Sequence, residues 1–163
     1  MKKLLLMRHA KSSFDNSEVP DIERGLNKRG EKDAPRMGKL LKDRGLVPDL
    51  IVTSKAARAA KTAELVAEKC GYKKEIIYVD ELYLGEPGVY IQKLSELGDD
   101  KADTVLVVGH NPGLETLLQV LTDKVESLPT GAIAYLELPI RTWKALNLDV
   151  IAELEKVWRP RDL

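Results

Sequence analysis

The sequence predicts an α/β fold of three layers, α/β/α, around a mostly parallel central sheet. Two observations carry that expectation: short, continuous apolar runs bounded by turn formers, and helix-period stripes that alternate with them along the chain. Length adds a third. The chain has 163 residues and 44% hydrophobic content, enough for one well-filled core. Two domains would leave each with about 80 residues, where cores become thin. Residues 1–163 are therefore expected to form a single domain.

The buried-strand candidates are Leu4–Met7, Leu50–Thr53 and Thr104–Val108, each too short for a helix. Pro48-Asp49 precedes the second, and Asp99-Asp100 lies shortly before the third. Between them, Gly30 to Arg44 places Ala34, Met37, Leu40 and Leu41 on one helical face and stops at Gly45. Ala56 to Cys70 repeats small apolar residues at the same spacing and stops at Gly71. Val89–Leu97 and Leu114–Leu121 read as two more helices, and Ile76–Val79 and Ala132–Leu138 as two more strands. Lys11 to Asn27 lacks periodicity, and a loop of that length in a compact domain is more often functional than idle.

Charge excludes several functions. The 26 Lys and Arg balance 26 Asp and Glu, so the chain lacks the field of a nucleic-acid or anionic-membrane binder. One Cys rules out a disulfide framework, and two His make a His-built metal site hard to assemble. The N-terminal apolar run, Leu4–Met7, is four residues long, against roughly 7–15 in a secretory signal. No stretch approaches the ~18 apolar residues of a membrane span. The expectation is a cytoplasmic protein with no nucleic-acid or membrane partner.

Open parallel sheets bind ligands at the carboxyl ends of their strands. After Leu4–Met7 comes Arg8-His9; after Leu50–Thr53 come Ser54 and, one helical turn on, Arg58; after Thr104–Val108 comes Gly109-His110-Asn111-Pro112-Gly113. Both histidines of the chain and two arginines thus stand where a parallel sheet would gather them on one rim. Such a rim is an anion pocket suited to phosphate, because each guanidinium offers paired donors and stays charged. A neutral imidazole there can attack phosphorus and carry the phosphoryl group. Taken singly, each of these residues has a blander reading as a structural or surface group. Asp15, Asp21, Arg24 and Glu81 read as solvated loop charges, and Cys70 as a packed small hydrophobe.

Four ordered motifs then resemble the histidine phosphatase superfamily, the phosphoglycerate-mutase-like fold. Leu5-Leu6-Met7-Arg8-His9-Ala10 resembles its Arg-His signature, and Arg24-Gly-Leu-Asn-Lys-Arg-Gly30 its Arg-Pro-Leu-Thr stretch, with Gly25 in place of proline. Ser54-Lys-Ala-Ala-Arg58-Ala-Ala-Lys-Thr62 is similar to its Ser-Pro…Arg-Ala-x-Gln-Thr helix start. Val108-Gly-His-Asn-Pro-Gly-Leu114, Pro129-Thr-Gly-Ala132 and the terminal Arg159-Pro-Arg-Asp-Leu163 resemble the small SixA-type branch.

The resemblance implies that His9 is the phosphorylated nucleophile, that Arg8, Arg58 and His110 hold the phosphoryl oxygens with Ser54 and Asn111 nearby, and that no metal or organic cofactor is used. Mutase-like members place an acidic Glu at a position that aligns with Leu84, so the general acid is left open between Glu81, Asp15 and none. Phosphohistidine releases imidazole, whose conjugate acid has a pKa near ~6.5, a far better leaving group than an alcohol. The expected activity is therefore hydrolysis of phosphohistidine on a phosphorylated carrier protein of a phosphorelay or phosphotransfer system. The alternatives are a phosphatase of small phosphomonoesters and a non-catalytic phosphoryl-binding module.

Overall fold

In the computed structural model, which describes residues 1–14 and 18–163, four helices cover the two faces of one six-stranded sheet. The strands are β1 (Lys2–Arg8), β2 (Leu50–Ser54), β3 (Ile76–Val79), β4 (Thr104–Gly109), β5 (Ile133–Leu138) and β6 (Glu153–Trp158). The helices are α1 (Lys28–Asp43), α2 (Ala57–Cys70), α3 (Pro87–Leu97) and α4 (Gly113–Thr122). The strand order is β3-β2-β4-β1-β5-β6. β3, β2, β4 and β1 pair in parallel, whereas β5 is antiparallel to both β1 and β6. Five strands therefore share one direction and only β5 opposes them.

The layers follow from period-two alternation in strands that are buried on both sides. Leu4 and Leu6 of β1, with Val105 and Val107 of β4, pack against Tyr90, Leu94, Leu114 and Leu118 of α3 and α4. Leu5, Met7, Leu106 and Val108 face the other way, against Ala34, Met37 and Leu41 of α1 and Ala59, Ala63 and Val66 of α2. Small residues on both helices of that face let them sit close: an added Cβ on Gly38 of α1 would lie 2.8 Å from the Val66 carbonyl oxygen of α2.

Strand β6 has no counterpart in the sequence expectations. Its segment, Glu-Leu-Glu-Lys-Val-Trp, is an edge strand whose outward positions are charged, which hides it from a search for apolar runs. The aperiodic stretch before α1 is not featureless in its described part. Ser12 bridges Leu26, Asp21–Glu23 forms a 3-10 turn, and Asn27 caps α1 by accepting from the Gly30 amide at 2.9 Å.

Gly30 ties this loop to the sheet. A Cβ there would lie 2.1 Å from the Lys11 carbonyl oxygen, two residues past His9. Gly30→Ala should therefore lower stability by about 1–3 kcal/mol through overpacking, against the ~1 kcal/mol that alanine gains in a helix. Denaturant unfolding of the variant checks the sign.

Candidate functional site

The site grows out of strand register. β1 and β4 pair so that Arg8 lies opposite Gly109, and Thr53 of β2 lies opposite Val108 on the other side. The residues that follow, His9, His110 and Ser54, therefore emerge side by side from three adjacent strands. The His9 amide donates to the Gly109 carbonyl at 3.1 Å, continuing the ladder one step beyond β1. The two imidazole centroids are 5.2 Å apart, close to the ~4.8 Å spacing of neighbouring strands.

His9 has a defined tautomer. Its Nδ1 lies 2.8 Å from the Ala10 carbonyl, an acceptor only, so Nδ1 carries the proton and Nε2 keeps its lone pair. Ala10 is fixed in turn, its amide donating to Thr62 Oγ1, while the Thr62 hydroxyl donates to the Arg58 carbonyl. One threonine of α2 thus couples the backbone beside His9 to that of Arg58. His110 is held by Ser54 Oγ, 2.8 Å from its Nε2, and by Tyr90, whose hydroxyl accepts from the His110 amide at 3.1 Å. Gly109 is required there: a Cβ would lie 2.2 Å from that hydroxyl.

Electrostatics keep both rings neutral. Burial, more than any other cause, lowers the His9 pKa to about 4; the cations of Arg58, Arg8 and Arg24 push the same way, and the Ala10 hydrogen bond opposes them. Burial again dominates at His110, lowered to about 3, with His9, Arg58 and Arg8 adding to the shift and Asp21 opposing it. A pocket of about 190 Å³ opens over these groups, lined by Arg8, His9, Lys11, Ser12, Phe14, Arg24, Arg58, Leu84, His110, Asn111 and Thr130. Three nitrogens of its lining residues, Arg8 Nε, Arg58 Nε and His110 Nδ1, are buried without a hydrogen-bond partner among the described residues. Buried polar groups are otherwise nearly always paired, and a tetrahedral anion in this cationic pocket is the guest that suits them.

Arg58 is aimed by a residue that sequence reading treats as a solvated loop charge. The Asp21 carbonyl accepts from Nη1 at 2.8 Å and its carboxylate from Nη2 at 3.1 Å. The same carboxylate accepts from Tyr83 Oη and from Arg24 Nε, so it stays ionised, well below the usual carboxylate range, with the Tyr83 bond as the largest cause. Arg24 also binds Ser12 Oγ and the Ser13 carbonyl. The sequence reading missed this pair; the one local signal for it is the three-residue separation of Asp21 and Arg24, beside the Arg24 motif.

The other expected site residues are placed as follows. Ser54 is fully buried and does not line the pocket; its oxygen meets His110 and accepts from the Ala56 amide. Ser54 is thus a support for His110 rather than a direct contact. Asn111 lines the pocket, with its side chain bonded to Glu115 and to the Leu128 carbonyl, the same carbonyl that accepts from Arg8 Nη1. Glu81 is a correction. An ion pair of 2.6 Å with Lys93 of α3 holds it over a separate depression beside Tyr78 and Leu97, away from the pocket of His9. Asp15 lies outside the described residues.

Two measurements test this geometry. Both histidines have folded pKa values below the unfolded ~6.5, so the native state binds fewer protons. Stability should hold above pH ~6.5 and fall as pH drops towards about 4 and 3; the two Cε1–H NMR signals should stay at neutral-imidazole positions at pH 5.5. Tyr90→Phe orphans the buried His110 amide and should cost about 1–3 kcal/mol in chemical unfolding.

Comparison with known proteins places the chain. The family model of the histidine phosphatase superfamily (branch 1) matches residues 4–83, which include His9 and Arg58. The structure of a candidate phosphohistidine phosphatase SixA from Nakamurella multipartitia superposes with a TM-score of 0.85 at 28% identity, covering 98% of this chain and 96% of that one. An uncharacterised chloroplastic protein of Arabidopsis thaliana is 28% identical over 151 residues, 88% of this chain and 69% of that protein. The 2,3-bisphosphoglycerate-dependent phosphoglycerate mutase of Streptomyces avermitilis is 46% identical over 68 residues, 40% of this chain, and the match spans 27% of the mutase. The shared segment and the whole-chain likeness agree with the rim of histidines and arginines: residues 4–83 match the histidine phosphatase superfamily, and the whole chain has the fold of SixA-type structures.

Proposed function

We propose that this enzyme hydrolyses phosphohistidine on a carrier protein through a phosphoryl group held on His9 Nε2. The observation that carries the reading is the charge inventory of the pocket. Among the described residues its lining holds four cationic side chains, two imidazoles and no carboxylate. Expelling an alcohol from a phosphomonoester calls for a proton donor beside the leaving oxygen. Of the described carboxylates, Glu81 is held by Lys93 and Asp21 is ionised within its three-partner network, so neither serves as that donor; Asp15, the other candidate, lies outside the described residues. An imidazole leaving group makes little demand for one. The SixA relative, named for phosphohistidine, supports the same substrate.

In the first step the Nε2 lone pair of neutral His9 forms a bond to phosphorus. The substrate P–N bond breaks and its electron pair returns to the departing imidazole, which takes a proton from solvent. Arg8 and Arg58 stabilise the charge on the non-bridging oxygens. With the Ser54 hydroxyl donating to His110 Nε2, His110 Nδ1–H becomes a further donor to the same oxygens. In the second step water attacks phosphorus, the His9–P bond breaks, its pair returns to Nε2, and the water proton leaves to solvent. The conserved sum is one water consumed and one phosphate released.

Brief exposure to a ³²P-labelled phosphohistidine protein, quenched at alkaline pH, should leave label on His9. His9→Ala should abolish both label and turnover; retained turnover removes the covalent mechanism. Arg58→Ala should reduce kcat/KM by roughly 10²–10³-fold, the scale of losing one preorganised donor. A parallel panel of sugar and nucleotide monoesters tests the small-molecule alternative, and phosphate binding without turnover of any of these substrates would leave the non-catalytic module.

A further inference from the structure

A second, larger depression adjoins the phosphoryl pocket. It encloses about 470 Å³ and shares Leu84, His110 and Asn111 with the pocket of His9. Its remaining walls come from the turn before α3 and the start of α4, with Pro87, Pro112 and Thr116 among them. The two spaces differ in charge. Arg8, Lys11, Arg24 and Arg58 line the phosphoryl pocket, whereas among the described residues Glu86 is the one charged residue of the groove. Close backbone approach fixes the groove wall: a Cβ on Gly113 would lie 2.3 Å from the Gly85 carbonyl oxygen.

Leu84 stands at the junction and carries two unfavourable features. Its φ is 58°, in the left-handed region, which costs a branched residue on the order of 1 kcal/mol or more. Its side chain is 69% exposed, and Phe14 on the pocket mouth is 71% exposed, stacked under Arg24. Strain and apolar exposure at one point beside a functional pocket mark a contact made with a partner.

We infer that the groove receives an apolar side chain of the phosphohistidine-bearing protein, with Leu84 as the residue that selects protein over small P–N substrates. The inference rests on the phosphohistidine reading and specifies how that substrate is held. The cationic pocket takes the dianion, and the nearly uncharged groove takes an uncharged neighbour. On a helix, a residue three or four positions from the phosphohistidine lies about 5–6 Å from it on the same face, and the two spaces adjoin, sharing three lining residues. Glu86, exposed and without an ion-pair partner among the described residues, favours a basic residue at the outer end of that segment.

The test compares kcat/KM for a histidine-phosphorylated carrier protein with kcat/KM for phosphoramidate, the small P–N substrate. Thr116 lines the groove and not the phosphoryl pocket, and it is exposed on α4. Thr116→Trp, which fills the groove, should lower the protein value at least tenfold and leave the phosphoramidate value within twofold. Leu84→Gly, which suits the left-handed backbone, should lower the protein-to-phosphoramidate ratio about tenfold, the scale of one lost leucine contact. Its melting temperature should stay equal or rise, which separates docking from folding. Unchanged protein turnover in both variants, or equal losses on both substrates, overturns the docking inference alone. A wild-type enzyme that cleaves phosphoramidate but no phosphohistidine protein overturns the functional reading and the docking with it.

Discussion

The parallel pairing of Arg8 with Gly109 is the constraint on which the rest of the site depends. A ladder in that register makes His9 and His110 the first residues past two neighbouring strands, so their rings meet at roughly the strand spacing. A slip of one residue would send one imidazole to the opposite face of the sheet. The register is in turn fixed by burial, because Leu4, Leu5, Leu6 and Met7 are all fully buried and each face demands its own pair. Core packing and site geometry are thus one specification. Tyr90 makes the link explicit, filling the α3 side of the core while its hydroxyl holds the His110 amide.

One electrostatic field serves two purposes at this rim. The arginines that would attract a phosphoryl dianion are among the charges that lower the His9 pKa, so the ring remains an unprotonated nucleophile. Burial contributes most of that shift, and the same exclusion of water strengthens each hydrogen bond to a bound anion. Asp21 offsets part of the positive charge, and it does so from the outer edge of Arg58. Both terminal nitrogens are engaged there, while Nε stays unpartnered in the buried interior. A guanidinium fixed on one edge presents its other edge without the entropy cost of ordering a free side chain.

Sequence legibility followed the physical origin of each feature. The inner parallel strands β1, β2 and β4 and all four helices are visible because burial on both faces writes continuous apolar runs, and burial on one face writes a 3.6-residue stripe. Strand β3, though an edge strand, is visible because its four residues, Ile-Ile-Tyr-Val, are all apolar or aromatic. Strand β6 is not visible, because an edge strand needs only part of one face apolar. Asp21 was hidden for a different reason. Its role comes from Arg24 three residues away, Arg58 on α2 and Tyr83 beyond β3, and the second and third meet it only after folding. Glu81 is the converse case, near Tyr83 in the chain but drawn to Lys93 on the far side of that turn.

The chain by itself determined the layered α/β class and the gathering of Arg8, His9, Arg58 and His110 at strand ends, because local periodicity and the polarity of parallel strands are written residue by residue. Only the tertiary structure decided the His9 tautomer, the shift of Ser54 from ligand to support, the Asp21 brace, and the apolar groove beside the pocket. Each of those depends on contacts between segments far apart in sequence, whose distances no local pattern encodes.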